Sequence, residues 1–241
     1  MKIEILIQCH NFQHRLCWML SSINSQHTST LNLLPQVATL PNNGTPNTEN
    51  IIEMFNSMEF RVKHLIMTDV NEFARRGNVR NKQVKALDED TEWVLFTDSD
   101  MVYESGFFDE LATRLQYVDK SAQAIYSVGR FSSDVAITDA MINELSYPCF
   151  IPETDETKKI CNIPRRNCGA GYFQLVRKEL LDGYYVKGAR DRHLFVDGQK
   201  ARSDIQFRKR FKLIKMNMIK EQWHLNHVRD NEAGKHLEIQ R

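Results

Sequence analysis

Long apolar runs are missing from this chain, and nothing in it approaches the roughly 18 to 20 consecutive apolar residues that cross a bilayer. No integral membrane segment is therefore expected. Cysteine is sparse: Cys9, Cys17, Cys149, Cys161 and Cys168 are odd in number and irregularly spaced across 241 residues. That pattern argues for reduced, buried thiols against a disulfide framework. The gap between Cys161 and Cys168 also matches no common zinc spacing. An excess of charge of either sign is lacking too, with 32 basic against 31 acidic side chains and a net charge of +1. A general nucleic-acid binder or a protein held on anionic lipid by bulk charge is thereby disfavoured. Glycine is absent from Gln8-Cys9-His10-Asn11 after the first strand-like run, where a glycine-rich phosphate loop would need it. The chain opens on strand-like Lys2 to Gln8 and not on a signal peptide, so the expected location is cytoplasmic.

What is present is a hydrophobic content of 41%, enough for one large core. Strand-like residues 2 to 9 lead through His10-Asn11-Phe12 into a helical pattern with Leu16, Met19, Leu20 and Ile23 on one face. An apolar stretch at 33 to 40 and the turn signal Asn42-Asn43-Gly44 precede a helix opened by Thr48, with Ile51, Ile52 and Phe55 behind it. A strand near 61 to 68, the loop Arg75-Arg76-Gly77, a helix through Val84 and a further strand follow. Alternating strand and helix predict a mainly parallel, twisted sheet with helices on both faces. Later come a helix near 107 to 118, a strand near 123 to 128, a charged and glycine-rich loop at 182 to 202, a helix from Ile205 to Phe211 and a strand near 213 to 220. Residues 182 to 202 read as a mobile or substrate-contacting loop.

The most informative step is Trp93-Val-Leu-Phe-Thr-Asp-Ser-Asp100. An apolar strand ending in two carboxylates, Asp98 and Asp100, puts hard oxygen donors at the carboxyl edge of an open sheet, where such sheets bind ligands. Side chains two apart on a strand share a face, and a divalent cation with its phosphates suits such a pair. An acidic turn capping the next helix is the plain alternative. Asn78-Val79-Arg80-Asn81, beside Arg75 and Arg76, sits at a loop-to-helix junction where backbone N–H groups and the helix dipole favour an anion such as a diphosphate. His224 and His227 are three apart and can face one ion if the segment is helical or turned. Mn²⁺ tolerates a mixed Asp and His donor set. Asp204, at the start of a helix, reads either as a carboxylate stabilising the helix dipole or as a general base. Arg208, Lys209 and Arg210 read as a solvated face, from which one arginine could reach the acidic pocket. Gly169 and Gly171 imply close backbone approach to a ligand or a strand.

Taken together, these segments resemble an inverting family 2 glycosyltransferase of the GT-A fold. Asn11, Leu16 and Ser22-Ile23-Asn24-Ser25-Gln26 resemble its opening strand and helix, and Val79-Arg80-Asn81 its Ala-Arg-Asn helix. Thr97-Asp98-Ser99-Asp100 resembles its Asp-x-Asp, and Ser203-Asp204-Ile205 to Arg210 its Glu-Asp-x-x-Leu-x-x-Arg helix. The tail from His224 to Asp230 is similar to the Met-x-x-His-Ser-Arg-Asp segment of β-1,4-galactosyltransferases. Two positions depart: Asn42-Asn43-Gly44-Thr45 stands where the family carries Asp-Asp-Gly-Ser, and Ser203 where it carries an acid.

The resemblance implies a single catalytic domain over residues 1–241, with a nucleotide-binding half at 1–103 and an acceptor-binding half at 104–241. It implies a UDP- or GDP-sugar donor, Mn²⁺ or Mg²⁺ held by Asp98, Asp100, His224 and His227, and Asp204 as the catalytic base. Asn11, Asn43, Arg80, Asn81, Asp98 and Gly171 would line the donor site. The acceptor would be a glycan or a lipid-linked acceptor, the latter by peripheral contact with a membrane. A nucleotidyltransferase, a metal-dependent hydrolase and a non-catalytic sugar-binding protein on a degenerate scaffold are the competing readings.

Overall fold

The computed structural model describes residues 1–10, 13–26, 28, 30–41, 48–119, 122–128, 131–132, 172–185, 207, 209–211, 213–218 and 222–224. Its organising element is β1 (Lys2–Gln8), buried from Lys2 to Ile7. Alternation sends Ile3, Ile5 and Ile7 into one core cluster and Leu6 into another on the opposite face. Parallel partners flank it: β2 (Asn32–Thr39) on one side and β4 (Trp93–Thr97) on the other. β3 (Lys63–Ile66) extends the sheet beyond β2.

β2 contains Pro35, which has no N–H to give a ladder. It is tolerated because β3 pairs only from Gln36 onward, so β2 has its β1 neighbour alone at Pro35.

The first large cluster lies under α1 (Gln13–Asn24), α2 (Thr48–Ser57) and α5 (Phe107–Gln116), through Leu16, Met19, Ile52, Phe55, Phe108 and Leu111 among others. Each such fully buried side chain contributes about 1.5–3 kcal/mol relative to exposure. Gly106, with φ of 75°, supplies the left-handed turn that starts α5. On the other face, α3 (Val70–Phe73) is capped by Asp69, whose carboxylate accepts the Asn71 and Glu72 N–H groups. α4 (Arg76–Lys85) follows on that face and contributes Val84 to the second cluster.

The second half of the chain completes the same sheet. β5 (Met101–Tyr103), β6 (Ala124–Val128) and β7 (Phe131–Ser132) precede β8 (Phe173–Arg177), and β9 (Leu213–Asn217) and β10 (Gln222–His224) come last. The seven-stranded sheet runs β3-β2-β1-β4-β8-β6-β9, and a three-stranded sheet runs β5-β10-β7. β8 is antiparallel to both of its neighbours, while β6 and β9 run parallel to each other. The expected mainly parallel sheet is present, with one reversed strand between β4 and β6. That strand has no counterpart in the sequence reading, because Phe-Gln-Leu-Val-Arg is short and carries no distinctive alternation.

No helix among the described residues is long and apolar enough to cross a membrane.

Candidate active site

β4 stops at Thr97, and residues 99 and 100 form the turn that enters β5. The two carboxylates are therefore oriented by a turn at the carboxyl edge of the sheet, and not by the two-residue pleat expected from the sequence. Asp98 keeps 26% of its side chain exposed, whereas Asp100 is buried. Beneath them the Tyr103 hydroxyl lies 2.9 Å from Thr97 Oγ1. Burial pushes the Tyr103 phenol well up, and the charges of Asp98 and Asp100 add to that direction. A neutral phenol thus underlies the acidic turn.

Two arginines of α4 face Asp98. Arg76 Nη1 lies 3.3 Å from Asp98 Oδ1, and Arg80 Nη2 lies 3.8 Å from the same oxygen. Their environments differ: the Arg76 side chain is 40% exposed and that of Arg80 only 2%. Arg80 Nη1 donates to Tyr185 Oη at 2.7 Å and to Gln174 Oε1 at 3.3 Å. Its guanidinium also lies over the rings of Phe96 and Tyr185. Asn81 Oδ1 accepts the Tyr185 backbone N–H at 2.7 Å.

The anion-binding expectation for the backbone of Asn78 and Val79 is not met. α4 already begins at Arg76, and both N–H groups donate to the Arg75 carbonyl. These donors are used by the helix itself, so side chains carry the positive charge of this site.

The strand that carries His224 returns to β5, next to the acidic turn. β10 pairs antiparallel with β5, with His224 in register with Met101, the residue after Asp100. Up to His224 the segment is a strand, not the helix its spacing allowed. His227, Asn11, Asn43, Gly171 and Asp204 lie outside the described residues.

Of the two arginines of the basic run, Arg208 lies outside the described residues and Arg210 does not reach the acidic pocket. It donates to the carbonyls of Leu180, Leu181, Tyr184 and Tyr185, fastening the helical residues 207, 209 and 210 to the preceding turn. Of the stretch read as a loop at 182 to 202, residues 186 to 202 lie outside the described residues, while residues 182 to 185 turn around Gly183, with φ of 74°, and Tyr185 is fully buried. Tyr185 and Gln174 were missed as site residues. The one available signal was an aromatic pair, Tyr184-Tyr185, inside an otherwise charged stretch.

His10, just beyond the carboxyl end of β1, meets the Phe73 ring edge-on at 5.8 Å. Partial burial lowers its pKa, so it stays neutral at physiological pH.

Among the described residues no group of three or more His, Cys, Asp or Glu side chains is arranged to hold a metal ion. The pair Asp98 and Asp100 nonetheless fits a hard cation in kind, because Mg²⁺ and similar ions use one or two carboxylates and take their remaining oxygens from water and phosphate.

Solved structures with this architecture exist. TarS residues 1–349 from S. aureus, in complex with UDP-GlcNAc, aligns with a TM-score of 0.60 at 14% identity over 97% of this chain and 61% of that one. The mannosyltransferase PcManGT from Pyrobaculum calidifontis, in complex with GDP-Man and Mn²⁺, aligns with a TM-score of 0.55 at 14% identity, covering 97% of this chain and 59% of its own. The chain has the GT-A-like fold. It spans about three fifths of the length of those two solved chains and 38% of a longer solved TarS chain. The 4-diphosphocytidyl-2C-methyl-D-erythritol synthase of Anaerococcus prevotii also aligns, with a TM-score of 0.50 at 16% identity over 90% of this chain and 86% of that one. The GT-A-like sheet is thus shared across different chemistries. No family model and no curated protein sequence matches the chain.

Proposed function

We propose that this chain is a metal-assisted glycosyltransferase that moves a sugar from a UDP- or GDP-sugar donor to an acceptor hydroxyl with inversion. The observation that carries this reading is the Asp98-Ser99-Asp100 turn at the carboxyl edge of a GT-A-like sheet, with Arg76 and Arg80 set against Asp98. A nucleotidyl transfer is less well supported, because Gln8-Cys9-His10-Asn11 has no glycine to wrap a triphosphate.

Asp98 and Asp100, with His224 and His227, would hold Mn²⁺ or Mg²⁺. Bound there, the cation would offset the charge of the departing diphosphate. Arg80, buried and pinned, serves the donor by fixing Asp98. Arg76, half-exposed beside the same carboxylate, is the cation best placed to meet the phosphates. Asn11 and Asn43 offer amides to the base, and Asn81 braces the Tyr185 turn behind Arg80. Gly171 would let backbone approach the donor sugar.

Asp204 would take the proton of an acceptor hydroxyl aligned opposite the leaving group, which gives inversion. The acceptor is a glycan or a lipid-linked sugar reached from the water side of a membrane.

The test is a thermal-shift screen of UDP, GDP, CDP and dTDP, each with and without Mn²⁺, since a ligand that binds only the folded state raises its apparent stability. Stabilisation by one nucleotide that requires the metal supports the reading and names the donor class. A shift with metal alone, and none with any nucleotide, overturns it in favour of a hydrolase or a degenerate binding scaffold.

A further inference from the structure

Behind the acidic turn lies a polar knot inside an apolar cluster. Leu6, Val84, Val94, Phe96, Val176, Leu181 and Phe207 surround the fully buried Tyr185. A phenylalanine would satisfy that packing, so the hydroxyl must answer to something else. It accepts from Arg80 Nη1 at 2.7 Å and donates to Gln174 Oε1 at 2.6 Å. Gln174 is itself fully buried and sits opposite Phe96 across the β4–β8 pairing.

The guanidinium is planar, so fixing Nη1 fixes the direction of Nη2. Nη2 is the group that faces Asp98, at 3.8 Å. The same tyrosine ring stacks on Phe207, with centroids 4.4 Å apart and planes 11° from parallel. Phe207 belongs to the helical residues that Arg210 fastens to the carbonyls of Tyr184 and Tyr185. One side chain therefore touches both the arginine behind the acidic turn and the late helical segment.

We propose that Tyr185 is a positioning residue for the donor site: its hydroxyl sets Arg80 against Asp98, and its ring ties that setting to the segment carrying Phe207. The inference rests on the reading of Asp98 as part of a nucleotide-sugar site. It extends that reading by making donor binding depend on a segment that need not touch the donor.

The experiment measures the affinity of the full chain for the nucleotide identified by the screen, with Mn²⁺, by calorimetry, alongside the melting temperature. Tyr185→Phe removes only the hydroxyl and is expected to weaken nucleotide binding about tenfold, the effect of losing one hydrogen bond to a charged group, with the fold retained by circular dichroism. Phe207→Leu keeps the hydroxyl but removes the stack, and is expected to weaken binding by a smaller factor. Val176→Ala, in the same cluster but making none of the knot's hydrogen bonds, lowers the melting temperature and leaves affinity unchanged. Wild-type affinity in folded Tyr185→Phe would overturn the proposal, and wild-type affinity in folded Phe207→Leu would overturn its link to the segment carrying Phe207. So would an affinity loss in Val176→Ala that matches theirs, since that marks general loosening. If the wild-type chain binds none of the nucleotides, the functional reading fails and this inference with it. If the wild type binds and Tyr185→Phe binds equally well, this inference alone fails.

Discussion

The two ends of the central sheet use the same residue types in opposite ways. At the amino end, Lys2 Nζ lies 2.7 Å from Asp88 Oδ2 and 2.6 Å from Asp90 Oδ1, and Lys63 Nζ lies 3.0 Å from Glu4 Oε2 and 2.9 Å from Asp88 Oδ1. Glu4 is fully buried, yet its other oxygen accepts the Asp88 N–H at 2.7 Å and the Thr91 hydroxyl at 2.5 Å. Every carboxylate named there meets an ammonium at hydrogen-bonding distance. At the carboxyl end, Asp98 Oδ1 lies 3.3 Å from Arg76 and 3.8 Å from Arg80. The first arrangement ties strands to loops. The second sits at the carboxyl edge, where open α/β sheets bind their ligands. Charged residues alone do not mark function; the edge of the sheet on which the fold places them does.

The contrast breaks most sharply at Asp100. Asp100→Ala should lower metal-dependent sugar transfer by at least on the order of a hundredfold, the scale of one lost electrostatic contact to developing charge. Its melting temperature should stay near that of the wild type. Steady-state kinetics beside a circular-dichroism melt checks both, and full activity would remove Asp100 from the site.

The opposite signature is expected at the amino end. Glu4→Ala should cost about 3 kcal/mol of stability, because it leaves Lys63 with fewer partners and strands the Thr91 hydroxyl and the Asp88 N–H. Urea unfolding measures the loss, and nucleotide affinity of the folded protein should not change.

Acid should probe the same end. Hydrogen bonds from Lys2 and Lys63 hold Asp88 at about 2, below its ordinary 3.8. The folded pKa is the lower one, so the stability Asp88 contributes is present above 3.8 and is lost as pH falls towards 2. Asp88→Asn should flatten that acid limb in unfolding curves recorded across this window. An unchanged limb would assign it to other carboxylates.

The smallest effect is expected at Arg76. Its half-exposed ion pair with Asp98 is worth less than about 1 kcal/mol to the fold. Arg76→Gln should therefore leave unfolding unchanged while weakening nucleotide binding a few-fold, with the difference shrinking as salt is raised. A large drop in stability would place Arg76 among the structural charges of the other end.

Much of this was legible along the chain. Ile3, Ile5 and Ile7 alternate cleanly, Ile51, Ile52 and Phe55 repeat at helical spacing, and the run from Trp93 to Thr97 ends in its carboxylates. These are local patterns with one physical period each. β8 was not legible, because a central antiparallel strand is specified by its neighbours on both sides and not by its own alternation. The role of Arg210 was equally hidden, since the four carbonyls it holds lie 25 to 30 residues away. The tail at His224 carried a spacing that a helix could use, and pairing with β5 made it a strand instead.

By itself, then, the sequence determined the strands and the longer helices of the first hundred residues, the parallel character of the sheet and the place of the acidic step at a strand's end. Those follow from hydrophobic period and turn chemistry, which act over a few residues. Only the tertiary structure decided that Arg80 is a buried brace, that Tyr185 and Gln174 set it, and that His224 lies beside Met101. Each of those facts joins residues about a hundred positions apart. The hydrogen bonds and strand pairings that create them exist only once the sheet has assembled.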